Sequence, residues 1–339
     1  MHRLFLIILL SNILLAGDMV RVASYNVENL FDMQVSGSEY HEYIPNTSWK
    51  WNKTNYKKKL HNIGKVIHDM QCDIISLQEI ESRSALRALQ KELKRQGSYF
   101  PHISITTKKK TTVHVAILSK YPIIYSKELS VTSSRKYRDI LETKVKIGSN
   151  SLYIFSNHWK AKSGAESRRI ISAKALQRRL LNLGHNKSII LLGDFNSHYE
   201  EYLTFKRRRK HNDTKGMTGI NHILNTIINN EPTTLKSLST CKNCSYNLWY
   251  ELETSRRWTH KYRSYKEALD SIIITKGLFN NIGIDYIDNS FNRFDPKYLL
   301  KRNKPYRWQR TKNYPKHHTG KGYSDHLPIY ADFKIISTN

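Results

Sequence analysis

Residues 189–197 read Ile-Ile-Leu-Leu-Gly-Asp-Phe-Asn-Ser. Side chains on an extended chain alternate between two faces, so an apolar run with no polar position suggests a strand covered on both sides. A chain with such a strand has to fold in layers. The run then meets Asp194 and Asn196, spaced two apart, which on an extended chain share one face while Phe195 turns to the other. Polar groups just past a buried strand sit at the rim of a core, where ligands bind. The same residues also form ordinary turn pairs, Gly-Asp and Asn-Ser, so this segment alone leaves a turn and a site equally open.

The rest of the chain supplies the context. Val20, Val22 and Ser24 alternate with Arg21, Ala23 and Tyr25, predicting a strand that ends near Asn26. Residues 54–70 place Leu60, Ile63, Ile67 and Met70 at helical spacing. A strand from Asp73 to Gln78 follows and ends at Glu79. Leu86, Leu89 and Leu93 then mark a second helix closed by Gly97. Three strand-like runs come next, the last being SLYIFSNHW. A third helix carries Ile170, Ala173, Leu176, Leu180 and Leu183, with Ser163 and Glu166 spaced as a capping box and Gly184 at its exit. Residues 200–265 read as a long, irregular, basic insertion, and ALDSIIIT and HLPIYADFKI supply two last strands. This mixture predicts an α/β fold, a two-layered β-sandwich flanked by helices, over a regular doubly wound sheet. Several of its strands end on polar residues: Asn26, Glu79, His158 and the Asp194/Asn196 pair.

The 339-residue chain begins MHRLFLIILLSNILLAGD. Arg3 precedes an apolar run from Leu4 to Leu10, and a second patch spans Ile13 to Ala16. Too short and interrupted to span a bilayer, this segment fits a secretory signal cleaved after Ala16, although Leu14 is not the small residue usual three positions before the cut. The alternative is an uncleaved amphiphilic anchor. Residues 1–16 are therefore read as a signal peptide and 17–339 as a single domain, since no repeat or Pro/Ser-rich linker marks a boundary. The mature protein is expected to be an exported monomer, periplasmic or secreted, with no stable membrane insertion. Its formal net charge of +28 implies a polyanionic partner: nucleic acid, an acidic membrane face or an acidic glycan. Of three cysteines, Cys241 and Cys244 lie close enough for a small-loop disulfide in an oxidising compartment. Two cysteines alone make a poor zinc site, and a redox motif is a weaker alternative. Cys72 reads as a small buried apolar side chain.

Asn26, Glu79, Asp194, Asn196 and Asp325 are hard oxygen donors, suited to Mg²⁺ or Ca²⁺ and not to zinc. His158 and His326 add imidazoles able to move protons near neutrality. A hard cation with imidazoles suits phosphodiester cleavage, where the phosphate must be neutralised and water activated. Each residue also has an ordinary role open to it. Glu79 could be a surface acid, Asn26 a turn former, His158 a packed histidine, Asp325 a turn cap and Asp270 a solvated strand start.

The order of the segments SYNVENLFD, DIISLQEIES, FSNHWKAKSGAESRR, LLGDFNS, LDSIIIT and GYSDHLPI, spread over about residues 20–335, decides between them. In that order the sequence resembles the endonuclease/exonuclease/phosphatase superfamily, and NHWKAKSG is similar to its exported bacterial members. The resemblance implies the deoxyribonuclease I-like four-layer α/β sandwich and a divalent cofactor, Mg²⁺ with Mn²⁺ or Ca²⁺ as substitutes. It also implies roles. Asn26 helps order phosphate and metal, Glu79 is the principal metal ligand, and Asp325 is a direct or outer metal ligand. His158 faces the scissile phosphate, while Asp194 and Asn196 orient the attacking water and contact the phosphate. His326 is the catalytic histidine, its tautomer fixed by Asp270, and Arg138 reaches phosphate. One departure stands out: where some nucleases of the family pair the first histidine with a glutamate on a preceding strand, this chain has His114 or a neighbour.

Fold does not fix the substrate, since the superfamily also includes inositol-phosphate phosphatases, sphingomyelinases and toxin-borne nucleases. Residues 297–326 carry many Lys and Arg with Tyr298, Tyr306, Trp308 and Tyr314 interleaved and no acid until Asp325. Basic stretches at 205–211 and before Asp270 adjoin two further motifs. Cations bind backbone phosphates and aromatics stack on bases. The expectation is an endonuclease acting on DNA, with RNA as a further candidate, leaving 5′-phosphate and 3′-hydroxyl ends. The alternatives are a phospholipid phosphodiesterase resembling sphingomyelinase, with Trp249 and Tyr250 as membrane-contact candidates, or a nuclease-type toxin subunit.

Overall fold

The structure, a computed structural model, describes residues 19–108, 111–205 and 211–336. The expected signal peptide, and most of the basic stretch at 205–211, lie outside the described residues.

Two sheets form the centre. The first contains β1 (Met19–Leu30), β2 (Ile74–Ile80), β3 (His102–Ile105) and β4 (His114–Ser119) with the C-terminal strands Ile284–Tyr286 and Ile329–Ile335. Its order is 284–286, 329–335, β1, β2, β4, β3, and the short Asn292–Arg293 strand also pairs with 329–335. The second contains β5 (Ile123–Leu129), β6 (Ile140–Ile147), β7 (Asn150–His158) and β8 (Ile189–Asp194), followed by Asp270–Thr275 and Ser245–Asn247 at its far edge. Each sheet has one parallel pair, β1 with β2 and β7 with β8, among antiparallel neighbours. A parallel pair needs a crossover long enough to return the chain. Helix α1 (Lys53–Met70) lies in the first crossover and α3 (Glu166–Leu183) in the second, while α2 (Arg83–Arg95) follows β2.

The layers explain the all-apolar strands. Ile190 and Leu192 of β8 face the inter-sheet core, where they join Val20, Val22, Ile74, Val115, Ile117 and Ile154. Ile189 and Leu191 point the opposite way, packing with Ala173, Leu176 and Leu180 of α3. On the other side Ala23, Tyr25, Ile75 and Leu77 pack against Ile63 and Ile67 of α1 and Leu86, Leu89 and Leu93 of α2. The order is helix, sheet, sheet, helix, the α/β sandwich anticipated above. Asn52 and Ser82 cap α1 and α2 by accepting from the Asn55 and Ala85 amides at 3.0 and 2.9 Å.

The capping box expected at Ser163 and Glu166 does not form. Ala165 precedes the helix without a side-chain cap. Glu166 is fully buried, its carboxylate taken by Arg169 Nε at 2.7 Å and the Gly219 amide at 2.8 Å, so it cannot reach back to the helix start. Gly184 does close α3, at φ +82°. Within the 200–265 insertion, Cys241 and Cys244 form a disulfide, and Cys72 is buried. No helix among the described residues is long and apolar enough to cross a membrane.

Backbone irregularities gather where the strands end. The β1/β2 register shifts between Asn26 and Leu30, and β2/β4 shifts between Gln78 and Ile80. Glu28, Asn29 and Glu79 take left-handed φ values of +51°, +65° and +67°. Such bulges re-aim side chains at a sheet rim. On β8, Gly193 has φ +127°, and a Cβ there would lie 2.1 Å from the Asn157 carbonyl oxygen of β7. Gly193→Ala should therefore destabilise the fold by about 3 kcal/mol or more, measured by urea denaturation. A second expectation concerns Glu251, whose carboxylate accepts from the Tyr286 hydroxyl and is pushed up to about 7, chiefly by burial. The folded state thus holds that proton more tightly than the unfolded chain, whose carboxyl titrates near 4.5. This stabilisation is complete below about pH 4.5 and is lost as pH rises through about 7. Glu251→Gln should remove that part of the pH dependence, seen in melting temperatures across the interval.

Candidate active site

Strand pairing builds the site. His158 pairs with Asp194 across β7/β8, and Asp194 pairs with Asp270 across the next interface. Three adjacent strands thus deliver an imidazole and two carboxylates in one row. From the facing sheet, Asn26 Nδ2 donates to Asp194 Oδ2 at 3.1 Å and to Glu79 Oε1 at 3.3 Å, closing the gap between the sheets. His158 Nε2 lies 3.6 Å from Asp194 Oδ2 and 3.8 Å from Glu79 Oε1. Asn196 is not on an extended continuation of β8, as alternation implied. It adopts φ +49°, and its amide donates to Asp194 Oδ1 at 2.8 Å. This turn sends Phe195 into the α3 core while Asn196 Nδ2 donates to the Trp159 carbonyl at 3.2 Å. The Gly-Asp-Phe-Asn segment is therefore a turn that lies within the candidate site.

His326 Nδ1 is 2.7 Å from Asp270 Oδ2. Thr259 Oγ1 donates to the same carboxylate oxygen at 2.5 Å, and Trp249 Nε1 donates to the Asp270 carbonyl at 2.7 Å. The His260 ring lies 5.0 Å from the His326 ring, centroid to centroid. Ser324 Oγ joins the two sheets' contributions, donating to the Asn26 carbonyl at 2.7 Å and accepting from the His326 amide at 3.1 Å. Sequence reasoning missed Thr259, His260 and Ser324, since a lone hydroxyl or a second histidine carries no spacing signal. It also missed Glu28, which accepts from Arg307 Nε at 2.8 Å, although the residue lies within the SYNVENLFD segment.

Asp325 sits on the flank, 3.3 Å from Arg307 Nη2. Arg138 donates to the Trp159 carbonyl at 3.3 Å, one residue from His158. His114 accompanies Thr106 at 3.2 Å, and His158 Nδ1 is buried without a hydrogen-bond partner among the described residues. Among the described residues nothing hydrogen-bonds His158 Nδ1, so no paired glutamate on a preceding strand orients the ring through that nitrogen.

Charge is unevenly distributed among these groups. Burial pushes Asp194 up to about 7, with Asp270 and Glu79 adding repulsion and His326 opposing it. Burial, with Asp325 nearby, also raises Glu79. Burial and the Arg138 charge hold His158 well below the usual imidazole range, so it is neutral. His326 behaves oppositely: burial disfavours its charge, but Asp270 overrides that and keeps it an imidazolium. Burial would raise Asp325, but His326 and Arg307 hold it below the ordinary carboxylate range.

Two oxygen-rich groupings could hold a cation. One ligand atom each from Asp194, Asp270 and His326 lie within 4.8 Å of one another. In that grouping His326 Nδ1 and Asp270 Oδ2 already engage one another at 2.7 Å. Glu79 and Asp194, with Asn26 between them and Asp325 alongside, fit better. These are hard donors, and burial with neighbouring like charge raises Glu79 and Asp194, a cost that a divalent cation relieves.

Outside this centre the aromatic residues of 297–326 divide. Trp308 is buried in a cluster with Trp51 and donates to His318 Nδ1 at 2.7 Å, and the Tyr298 hydroxyl donates to Asp69 at 2.6 Å. Tyr314 alone of the four is fully displayed, 93 % exposed. The hairpin His260–Glu267, beside His326, displays Tyr262 and Tyr265 at about 60 % exposure. Trp249, a membrane-contact candidate from the sequence, is fully buried, and the Tyr250 hydroxyl is also buried.

The family model described as Endonuclease/Exonuclease/phosphatase family matches residues 21–237 and 221–334. No curated protein matches the chain in sequence. Among solved structures, D. rerio TDP2 humanized by 14 mutations is similar at TM-score 0.59 and 14 % identity, covering 93 % of this chain and 98 % of that one. A Bacteroides thetaiotaomicron mannosyl-6-phosphatase matches at TM-score 0.55 and 14 % identity, covering 93 % and 99 %. The human Nocturnin catalytic domain with bound sulfate matches at TM-score 0.52 and 17 % identity, covering 94 % of each. These likenesses establish the fold, and the family match spans nearly all of the described residues: the chain belongs to the endonuclease/exonuclease/phosphatase family.

Proposed function

We propose that the chain is an exported, divalent-metal-dependent endonuclease that hydrolyses phosphodiester bonds of DNA, with RNA as a second substrate, at low sequence specificity. The observation that carries this reading is the Asp270–His326 pair at 2.7 Å set beside Asp194 under a cationic, aromatic rim. Export is supported by the N-terminal sequence and by the Cys241–Cys244 disulfide, which suits an oxidising compartment. A nucleic-acid substrate is supported by the net charge of +28 and by the displayed Tyr262, Tyr265 and Tyr314. One similar structure is D. rerio TDP2 complexed with a single-strand DNA product, at 13 % identity and TM-score 0.57. The phospholipid alternative loses its contact loop with the burial of Trp249.

Each side chain has a role that follows from its surroundings. Asp194, held near neutrality, accepts the proton of the attacking water, and Asn196, fixed by the turn, orients that water. The His326 imidazolium, kept charged by Asp270, meets negative charge as it develops on the phosphate. It also gives a proton to the departing 3′-oxygen, leaving a 5′-phosphate and a 3′-hydroxyl. Neutral His158 offers its Nε2 proton to a non-bridging phosphate oxygen, and Arg138 supplies a fixed positive charge. Glu79, Asn26 and Asp325 would hold Mg²⁺, with Mn²⁺ or Ca²⁺ as substitutes. That ion supplies charge neutralisation of the scissile phosphate when bound.

The test is plasmid nicking by the mature protein with Mg²⁺. His326→Ala and Asp270→Asn should each lower the rate by about 10²–10⁴-fold, while circular dichroism shows the fold retained. Undiminished nicking by either variant would overturn the assignment. A chelator should abolish nicking and Mg²⁺ should restore it, whereas Glu79→Gln should raise the Mg²⁺ concentration needed for half-maximal rate. Activity indifferent to chelation would remove the metal from the reading.

A further inference from the structure

Beside the catalytic row lies a cavity of about 190 Å³, lined by Tyr40, Thr111, Thr112, Val113 and four cations: Arg135, Lys136, Arg138 and Lys160. Its position is set by the chain itself, since Lys160 is two residues beyond His158. The Trp159 carbonyl between them accepts from Arg138 Nη1 at 3.3 Å and from Asn196 Nδ2 at 3.2 Å. One peptide group therefore joins the cavity wall to the residue that orients the attacking water.

The electrostatics of this cavity are unbalanced. None of the four cations has a carboxylate within ion-pair distance among the described residues. Asp139, the nearest acid in sequence, is buried and already engaged by Lys108 Nζ at 2.8 Å and the Val131 amide at 3.0 Å. Lys160 donates to the Lys136 carbonyl at 3.0 Å and is pushed below its ordinary range by burial and by the charges of Arg138, Arg168 and Lys136. Like charges crowded in a concave site are costly unless an anion visits it. The larger cavity of about 310 Å³ nearby offers no such attraction, because Asp32 and Glu81 line it together with Arg83 and Lys108. The 190 Å³ space holds a phosphate with a few waters, at about 30 Å³ per water.

We propose that the cavity lined by Tyr40, Arg135, Lys136, Arg138 and Lys160 is a second anion subsite, which holds the phosphate next to the scissile one in a nucleotide chain. The inference rests on the phosphodiesterase reading above and extends it to substrate choice: the enzyme acts on chains of phosphates in preference to isolated phosphodiesters. Arg135 and Lys136 are exposed and Lys160 half-buried, so they can be replaced without opening the core.

Two measurements test it. Calorimetry compares thymidine 3′,5′-bisphosphate with thymidine 5′-monophosphate, on the wild-type protein and on the Arg135→Gln/Lys160→Gln variant. The bisphosphate should bind about tenfold tighter to the wild type, and the variant should lose that advantage. Equal affinities in the wild type, or an advantage that survives in the variant, overturn the subsite. An equal gain for a sugar bisphosphate over its monophosphate overturns the assignment to a nucleotide chain. In the second measurement, oligonucleotides carry one uncharged methylphosphonate next to the cleaved bond. Neutralising that neighbour should cost the wild type about tenfold in kcat/KM and the variant little. A variant that slows cleavage of charged and neutral neighbours by the same factor overturns the proposal. If no nucleic acid is cleaved at all, the endonuclease reading falls, while the calorimetric comparison still decides the subsite.

Discussion

The dual burial of the central strands is the constraint from which the rest follows. Ile189 and Leu191 belong to one core and Ile190 and Leu192 to another, so β8 is fixed in register by apolar packing on both faces. A one-residue slip would exchange the two sets and move Asp194 off the rim. Register in turn sets His158, Asp194 and Asp270 side by side. The polar centre is thus aligned by residues that never touch it. Gly193 shows how little tolerance the alignment has, because the β7 backbone occupies the space that a side chain would need.

Within that frame, the same burial that stabilises the cores works against the ionised groups at the rim. Asp194 and Glu79 are raised, His158 is kept neutral, Asp325 is held ionised, and His326 is held charged by the Asp270 carboxylate, which Thr259 also donates to. Chemically similar side chains are driven apart in protonation, which is how one site can contain both a proton acceptor and a proton donor. The chain is a hydrolase of a family of metal-dependent phosphodiesterases and phosphatases. Its excess of buried carboxylate beside Asn26 agrees with the need for a divalent ion.

The sequence was most informative where a residue's role is written in its neighbours. The apolar runs foretold the layers, and the stripe Leu60, Ile63, Ile67 and Met70 foretold α1, because burial imposes periodicity. The strand-end residues Asn26, Glu79, His158 and Asp194 were legible for the same reason, since each interrupts an apolar run. Asp270 and His326, 56 residues apart, were legible through their family motifs. What escaped was long-range and non-periodic. Thr259 meets Asp270 because a hairpin folds back, and Glu28 meets Arg307 across 279 residues. Trp308 and Trp249 were misread because an aromatic side chain looks the same in a string whether it faces solvent or a core. The capping box failed because Ser163 and Glu166 satisfied a local pattern while Arg169 and the Gly219 amide claimed the carboxylate.

The segment leading to His326 is sutured to α1 at several points. Lys59 Nζ donates to the Tyr323 carbonyl at 2.9 Å, Asn62 to the Gly322 carbonyl at 2.8 Å and Asn55 to the His318 carbonyl at 3.2 Å, while the Trp308 ring sits over Lys59. A loop so tethered has surrendered most of its conformational freedom when the protein folds. On the proposed reading, an incoming polyanion would meet an already rigid cationic wall, and little of its binding energy would be consumed in ordering that wall.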